Sequence, residues 1–198
     1  MTVQSPSLTS VSRRPKRADA RRNYDKLLAA ARAAFTEADT ATSLEDIARR
    51  AGVGIGTLYR HFPTRQILIE AVYIGEVEAL SRSAQDVSAL PPWEALSTWL
   101  RRFVDYVATK QALADELFAE GASTEVFASC RTALYAAGAP LLERAQEAGE
   151  ARKDVDISDV LYLVSGIAKV RLTDASQIER LIDLALDGLR HGTSRVAG

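Results

Sequence analysis

From residue 24 onward the apolar positions recur with the period of a helix. Tyr24, Leu27, Leu28, Ala31 and Phe35 fall at i, i+3, i+4, i+7 and i+11, one stripe of an amphipathic helix, and the pattern predicts that this helix ends near Ala38-Asp39. Ser43 opens a second helix: its hydroxyl suits an N-cap, and Glu45 and Asp46 follow in the first turn, where negative charge meets the favourable end of the helix dipole. Gly52 stops that helix after roughly two turns. Further helices are predicted at about 65 to 82, 93 to 110, 112 to 120, 123 to 148, 157 to 171 and 175 to 190. Leu90-Pro91-Pro92, Gly149 and the polar run Lys153-Asp154-Val155-Asp156 separate some of them. Pro140 falls inside the long helix and predicts a kink or a split, because it removes the bond to Ala136. No stretch alternates as a strand does, so the fold class is all-α.

The segment from Ser43 to Phe62 has the geometry of helix, glycine-centred turn, helix. Ile47, Ala48, Val53, Leu58 and Phe62 supply its inner contacts, and the small Ala48 lets two helices cross closely, as a helix-turn-helix requires. Gly52 supplies the positive φ of a tight exit from a helix. The second helix then offers Gly54, Ile55, Gly56, Thr57, Tyr59, Arg60 and His61 on faces that the core does not need. Small, hydroxyl and cationic groups of this kind suit a DNA major groove. Two other readings fail. The run Gly52-Val53-Gly54-Ile55-Gly56 follows a helix and lacks the Gly-Lys-Ser/Thr of a phosphate loop. His61 has no Asp, Cys or Ser pairing pattern that would make it a general base, so no catalytic constellation is visible and the chain does not read as an enzyme.

Residues 21 to 72 resemble the DNA-binding region of the TetR family of bacterial repressors. The likeness is carried by Ala33-Ala34-Phe35, Ser43-Leu44-Glu45-Asp46-Ile47-Ala48, Gly52-Val53, and Thr57-Leu58-Tyr59-Arg60-His61-Phe62 followed by Pro63-Thr64-Arg65. Many relatives carry Lys where this chain has Arg65, which keeps the charge. The resemblance implies that Ser43, Tyr59 and Arg65 meet DNA phosphates and that Gly54 to Arg60 face base edges. It further implies a small-molecule pocket in the larger domain.

Charge strengthens the reading of the front segment. Residues 1 to 65 hold 12 Lys and Arg against 6 Asp and Glu, a net of +6; the remainder hold 13 against 20, a net of −7, which together return the −1 of the whole chain. The front third is suited to a polyanion, although a charge run in the tail alone would more simply be a solvated surface. The expected layout is a disordered basic arm over 1–18, a three-helix DNA-binding domain with helix-turn-helix over 19–66, and a larger helical ligand-binding and dimerisation domain over 67–198.

In that larger domain Trp93, Trp99, Phe103 and Tyr106 share one apolar arc, and Phe118, Phe127, Cys130 and Tyr135 lie on helices expected to face it. Aromatic stripes are usually core; with the resemblance, Trp99, Phe103, Tyr106, Phe118, Phe127 and Cys130 become candidates for lining an apolar effector site. The last two helices carry apolar residues around more than one face, including Leu161, Val164, Ile182 and Leu186. One core partner cannot cover all of that, and the excess fits a two-fold, four-helix interface better than a larger monomeric core. One cysteine and two distant histidines give neither a disulfide framework nor a metal cluster, and no cofactor is expected. With no signal-peptide stretch and no run of about 20 apolar residues, the chain is expected to be soluble and cytoplasmic, without a membrane partner. The function expected is a dimeric repressor that leaves its double-stranded DNA operator on binding a small apolar or aromatic ligand. The alternative is a constitutive DNA-binding regulator without an effector.

Overall fold

A computed structural model describes residues 15, 17–37, 42–119, 124–169 and 175–190, with the side chains of 36, 109, 111–119, 124 and 175 outside the description. The described residues form eight helices and no strand: α1 (Ala18–Thr36), α2 (Leu44–Ala51), α3 (Ile55–His61), α4 (Arg65–Asp86), α5 (Pro92–Ala119), α6 (Thr124–Glu147), α7 (Ile157–Ala168) and α8 (Ala175–Arg190). The arm expected over 1–18 lies almost wholly outside the described residues, as do Ala38-Asp39, the expected end of the first helix.

Several helix boundaries differ from expectation. The helices expected at 93–110 and 112–120 are one continuous α5, because Lys110-Gln111-Ala112 contains no cap or breaker and its residues are good helix formers. α4 runs to Asp86, with Ser83, Ala84 and Gln85 continuing the helix until the turn before Pro91-Pro92. α7 stops at Ala168. Pro140 does not split α6: Ala136 and Pro140 both face solvent, where water can take the carbonyl that the proline leaves unbonded.

The described residues fall into two compact units, one within Met1–Glu76 and Thr109–Arg131, the other within Val77–Ala108 and Thr132–Gly198. In the first, Tyr24, Leu27, Ala31, Ala34 and Phe35 of α1 are buried, as are Ile47 and Ala48 of α2, Leu58 of α3 and Phe62. Arg32 of α1 pairs with Glu76 of α4 at 2.9 Å. Burial raises the Glu76 carboxyl above its ordinary value, with the Arg32 charge opposing. Elsewhere in this unit the Tyr73 and Phe127 rings meet at 5.4 Å, tilted by 59°, and the Lys110 ammonium lies over both rings.

In the second unit Trp99 is fully buried, and its indole N–H donates to the Leu80 carbonyl at 3.1 Å. A Cβ at Gly138 would stand 2.7 Å from two atoms of that ring and 2.8 Å from Ile157 Cδ1. α7 begins with a capping box at the end of the polar run Lys153-Asp154-Val155-Asp156: Asp156 Oδ1 accepts from the Ser158 and Asp159 N–H groups, and Asp159 accepts from the Asp156 N–H. Nearby, the Arg152 N–H donates to the Leu189 carbonyl at 3.0 Å, tying this loop to the end of α8.

Gly138→Ala forces its methyl against a ring pinned by both packing and a hydrogen bond. The expected loss of stability is about 1–3 kcal/mol, read from chemical denaturation. An unchanged denaturation midpoint would show that Trp99 is free to yield.

Candidate nucleic-acid interface

The geometry of the head follows from how α2 starts and stops. Ser43, extended at φ −74° and ψ 159°, accepts the Asp46 N–H at 3.1 Å. Its hydroxyl donates to the Asp46 carboxylate at 2.8 Å. That bond, then the Arg49 guanidinium, holds the Asp46 carboxyl below its ordinary range. At the other end Gly52 takes the left-handed conformation, φ 63° and ψ 34°. The Val53 N–H donates to the Ala48 carbonyl at 3.0 Å and the Gly52 N–H to the Arg49 carbonyl at 3.1 Å. This is a Schellman stop, which closes the helix and turns the chain sharply.

The turn delivers α3 with Leu58 and the following Phe62 facing inward. Tyr24 receives them, its ring 5.0 Å from that of Phe62 and edge-on to His61 at 5.9 Å. With those residues inside, Gly54, Ile55, Gly56, Tyr59 and Arg60 are exposed and Thr57 is half-buried. The candidates at 54 to 60 therefore share one short helix with an outward face.

Gly54 and Gly56 add an independent observation. A Cβ at either position meets nothing within 4 Å, and Gly54 sits at φ −63°, open to any residue. Gly54 is the N-cap of α3, where glycine is preferred to alanine; at Gly56, in the first turn, packing inside the chain gives no reason for glycine, which at an exposed helical position costs roughly 0.5–1 kcal/mol relative to alanine. Close approach by another molecule does give one.

Three candidates are partly engaged within the head. The one hydroxyl proton of Ser43 is committed to Asp46, so it has none for a phosphate while that bond holds. Arg65 is half-buried; it lies 5.1 Å over the Phe35 ring and donates to the Thr42 carbonyl at 2.5 Å. It thereby fixes the approach to the α2 cap, a role that a charge count does not reveal. His61 is half-buried, and burial, then the neighbouring Arg60 charge, lowers its pKa, which favours a neutral packing ring over a cation. The sequence reading placed Glu45 only at the start of its helix and did not bring its carboxylate to the Tyr59 hydroxyl, 3.5 Å away, nor did it single out Ile67, an exposed apolar residue in the first turn of α4.

Of the aromatic candidates, Trp99, Phe103 and Tyr106 are buried and stack in sequence along α5, at 6.1 and 5.7 Å, in the second unit. Phe127 is half-buried and Cys130 buried in the first unit. The side chain of Phe118 lies outside the described residues. Leu161, Val164, Ile182 and Leu186, taken from the sequence as interface, are buried within the chain itself. They form the inner stripes of α7 and α8, and the outward apolar residues on these helices are Tyr162, Leu163 and Leu184.

An all-helical chain with this head belongs structurally with the helix-turn-helix DNA-binding proteins, and comparison with known proteins gives the family. Residues 27–72 match the family of bacterial regulatory proteins, tetR family. Residues 91–191 match the transcriptional regulator SbtR-like, C-terminal domain. A TetR transcriptional regulator of Streptomyces coelicolor, SCO0520, is 44% identical, covers 84% of this chain and 98% of its own, and superposes with a TM-score of 0.74. A TetR transcription regulatory protein from Mycobacterium vanbaalenii is 36% identical over 89% of this chain and 100% of its own, with a TM-score of 0.73. The HTH-type transcriptional regulator SAR0097 of Staphylococcus aureus is 28% identical over 100 residues, 48% of this chain, and the match spans only 52% of that relative's length. The chain belongs to the TetR family of bacterial transcriptional regulators. Among the described residues no helix is long and apolar enough to cross a membrane, and no group of three or more His, Cys, Asp or Glu is placed to hold a metal ion.

Gly56→Ala separates binding from stability. The expected result is a head as stable as wild type or up to about 1 kcal/mol more stable, yet weaker in DNA affinity, because the added methyl occupies the approach surface. Thermal unfolding and fluorescence anisotropy with labelled duplex measure the two effects. Full affinity in a stable Gly56→Ala protein would contradict the proposed close approach.

Proposed function

We propose that this protein is a sequence-specific DNA-binding regulator that acts in the cytoplasm as a homodimer, inserting α3 of each protomer into the major groove of a double-stranded operator. The observation that carries the reading is the outward face of α3, where two exposed glycines flank Ile55 and Thr57, Tyr59 and Arg60 follow. Thr57 and Arg60 are the proposed polar readers of base edges, and Tyr59 a phosphate contact. Arg65 and Ser43 contribute chiefly by fixing α2. The domain boundaries proposed are those of the sequence reading, with DNA binding over 19–66 and dimerisation and ligand binding over 67–198.

Dimerisation is proposed through the outward faces of α7 and α8. Tyr162, Leu163 and Leu184 are 65%, 53% and 66% exposed, an apolar cluster that a lone protomer would leave in water. Leu163 and Leu184 also border a cavity of about 300 Å³ lined by Leu100, Val155, Val160 and Leu189. Leu161, Val164, Ile182 and Leu186 support this face from beneath.

The proposed mode is repression relieved by a small apolar or aromatic ligand, with Trp99, Phe103 and Tyr106 as its candidate contacts. Such a ligand shifts the operator equilibrium only by binding the displaced state more tightly. A constitutive regulator without an effector is the second reading. It is favoured by the close approach of the Trp99 ring to Gly138 and its hydrogen bond to the Leu80 carbonyl. Operator binding that survives a screen of apolar and aromatic compounds would favour the second reading, and release by one of them the first.

Selection of duplexes from a random pool tests DNA binding directly: a recurrent two-fold symmetric site is expected, and a pool without enrichment would defeat the proposal. Leu163→Glu and Leu184→Glu should yield folded monomers with greatly reduced operator affinity, because each buries an unpaired charge only in the dimer. Leu186→Glu should unfold the protomer instead, since Leu186 is already inside it. Sedimentation with thermal unfolding separates these outcomes; a Leu163→Glu protein that remains a dimer would place the interface elsewhere.

A further inference from the structure

We propose that Ile55 reads the 5-methyl group of a thymine, so that the operator carries a T·A pair at a fixed place in each half-site. The inference rests on the DNA-binding reading above and assigns one base within it.

Ile55 is the first residue of α3 and is 38% exposed. A single exposed isoleucine is ordinary on a protein surface, but the neighbours of this one are not. Gly54 and Gly56 stand on either side of it, and at neither does a Cβ meet anything within 4 Å. Gly56 weakens the helix relative to alanine without serving the packing of the head, while Gly54 is its N-cap, a position glycine suits. With no Cβ on either chain neighbour, the backbone on both sides of Ile55 is bare, and a base-pair edge can come close to it.

The chemistry of the major groove then decides what that edge is. Guanine and adenine present N7, with O6 or an amino group beside it, and cytosine presents an amino group; the thymine C5-methyl is the apolar group displayed there. An isoleucine pressed on an amino or carbonyl group strips its water and returns no hydrogen bond, which is penalised. Pressed on a methyl, both partners leave water favourably. Ile55 therefore rewards thymine and rejects the other bases at the same position. Thr57 and Arg60 retain the polar readout, so methyl recognition adds to their contacts and does not replace them.

Replacing thymidine by deoxyuridine removes this methyl and leaves the Watson–Crick pair and its hydrogen-bonding edge intact. An operator selected by the wild-type protein from random duplexes is resynthesised with each symmetric pair of thymidines replaced in turn. One pair is expected whose replacement weakens binding roughly three- to tenfold. Ile55→Ala is expected to unfold at the wild-type temperature and to bind the two forms of that operator equally. Ile55→Val, which keeps a branched apolar side chain, should retain the preference. The inference is overturned if no thymine shows a methyl-dependent affinity, or if the methyl effect persists undiminished in Ile55→Ala. A wild type that selects no sequence from the pool would overturn the DNA-binding reading itself, an outcome distinct from either.

Discussion

At Gly52 the backbone must turn left-handed, and the architecture of the head depends on that one constraint. With φ at 63° the chain leaves α2 by a Schellman stop, its carbonyls at Ala48 and Arg49 taken by the next two N–H groups. A residue with a Cβ is strained there. Because the exit angle is fixed, Leu58 and Phe62 enter the same core as Tyr24, Leu27 and Ile47, and the opposite face of α3 faces outward. The proposed readers need no special mechanism to present them. They are what remains once the buried face is satisfied.

The same reasoning extends to α7 and α8. Their inner stripes are consumed by the protomer, the Asp156 box fixes where α7 starts, and the Arg152 bond to Leu189 secures the end of α8. What remains outward is apolar: Tyr162, Leu163 and Leu184, with exposed glycines at 166 and 188 where a Cβ would meet nothing. Both proposed interfaces thus combine exposed apolar side chains with glycines at which an added Cβ would meet nothing in the chain. One is proposed to meet DNA and the other a second copy.

Much of this was legible in the sequence because helical periodicity and caps are local. The stripe from Tyr24 to Phe35, the Ser43 cap and the Gly52 stop are all signals within a few residues. So is the long run of TetR-like residues through Arg65. Other features depend on contacts distant in sequence and were not legible. Apolar spacing selects Leu161, Val164, Ile182 and Leu186 as hydrophobic, but it does not say whether a stripe faces its own core or a partner. The family resemblance gives Arg65 a phosphate, whereas the ring of Phe35 and the carbonyl of Thr42, brought up by the fold, engage its side chain. The continuity of α5 was not legible from apolar spacing, although no cap or breaker stands at Lys110-Gln111-Ala112.

The central claim is that α3 enters successive major grooves on one face of the duplex. Dimethyl sulfate tests it most directly, because it methylates guanine N7 in the major groove and adenine N3 in the minor groove of the same operator. The account predicts two patches of protected N7, centred one helical turn apart at about 34–36 Å or a multiple of it, with N3 reactivity unchanged beneath them. Protection of N3 with N7 left open would place the protein in the minor groove and contradict the account.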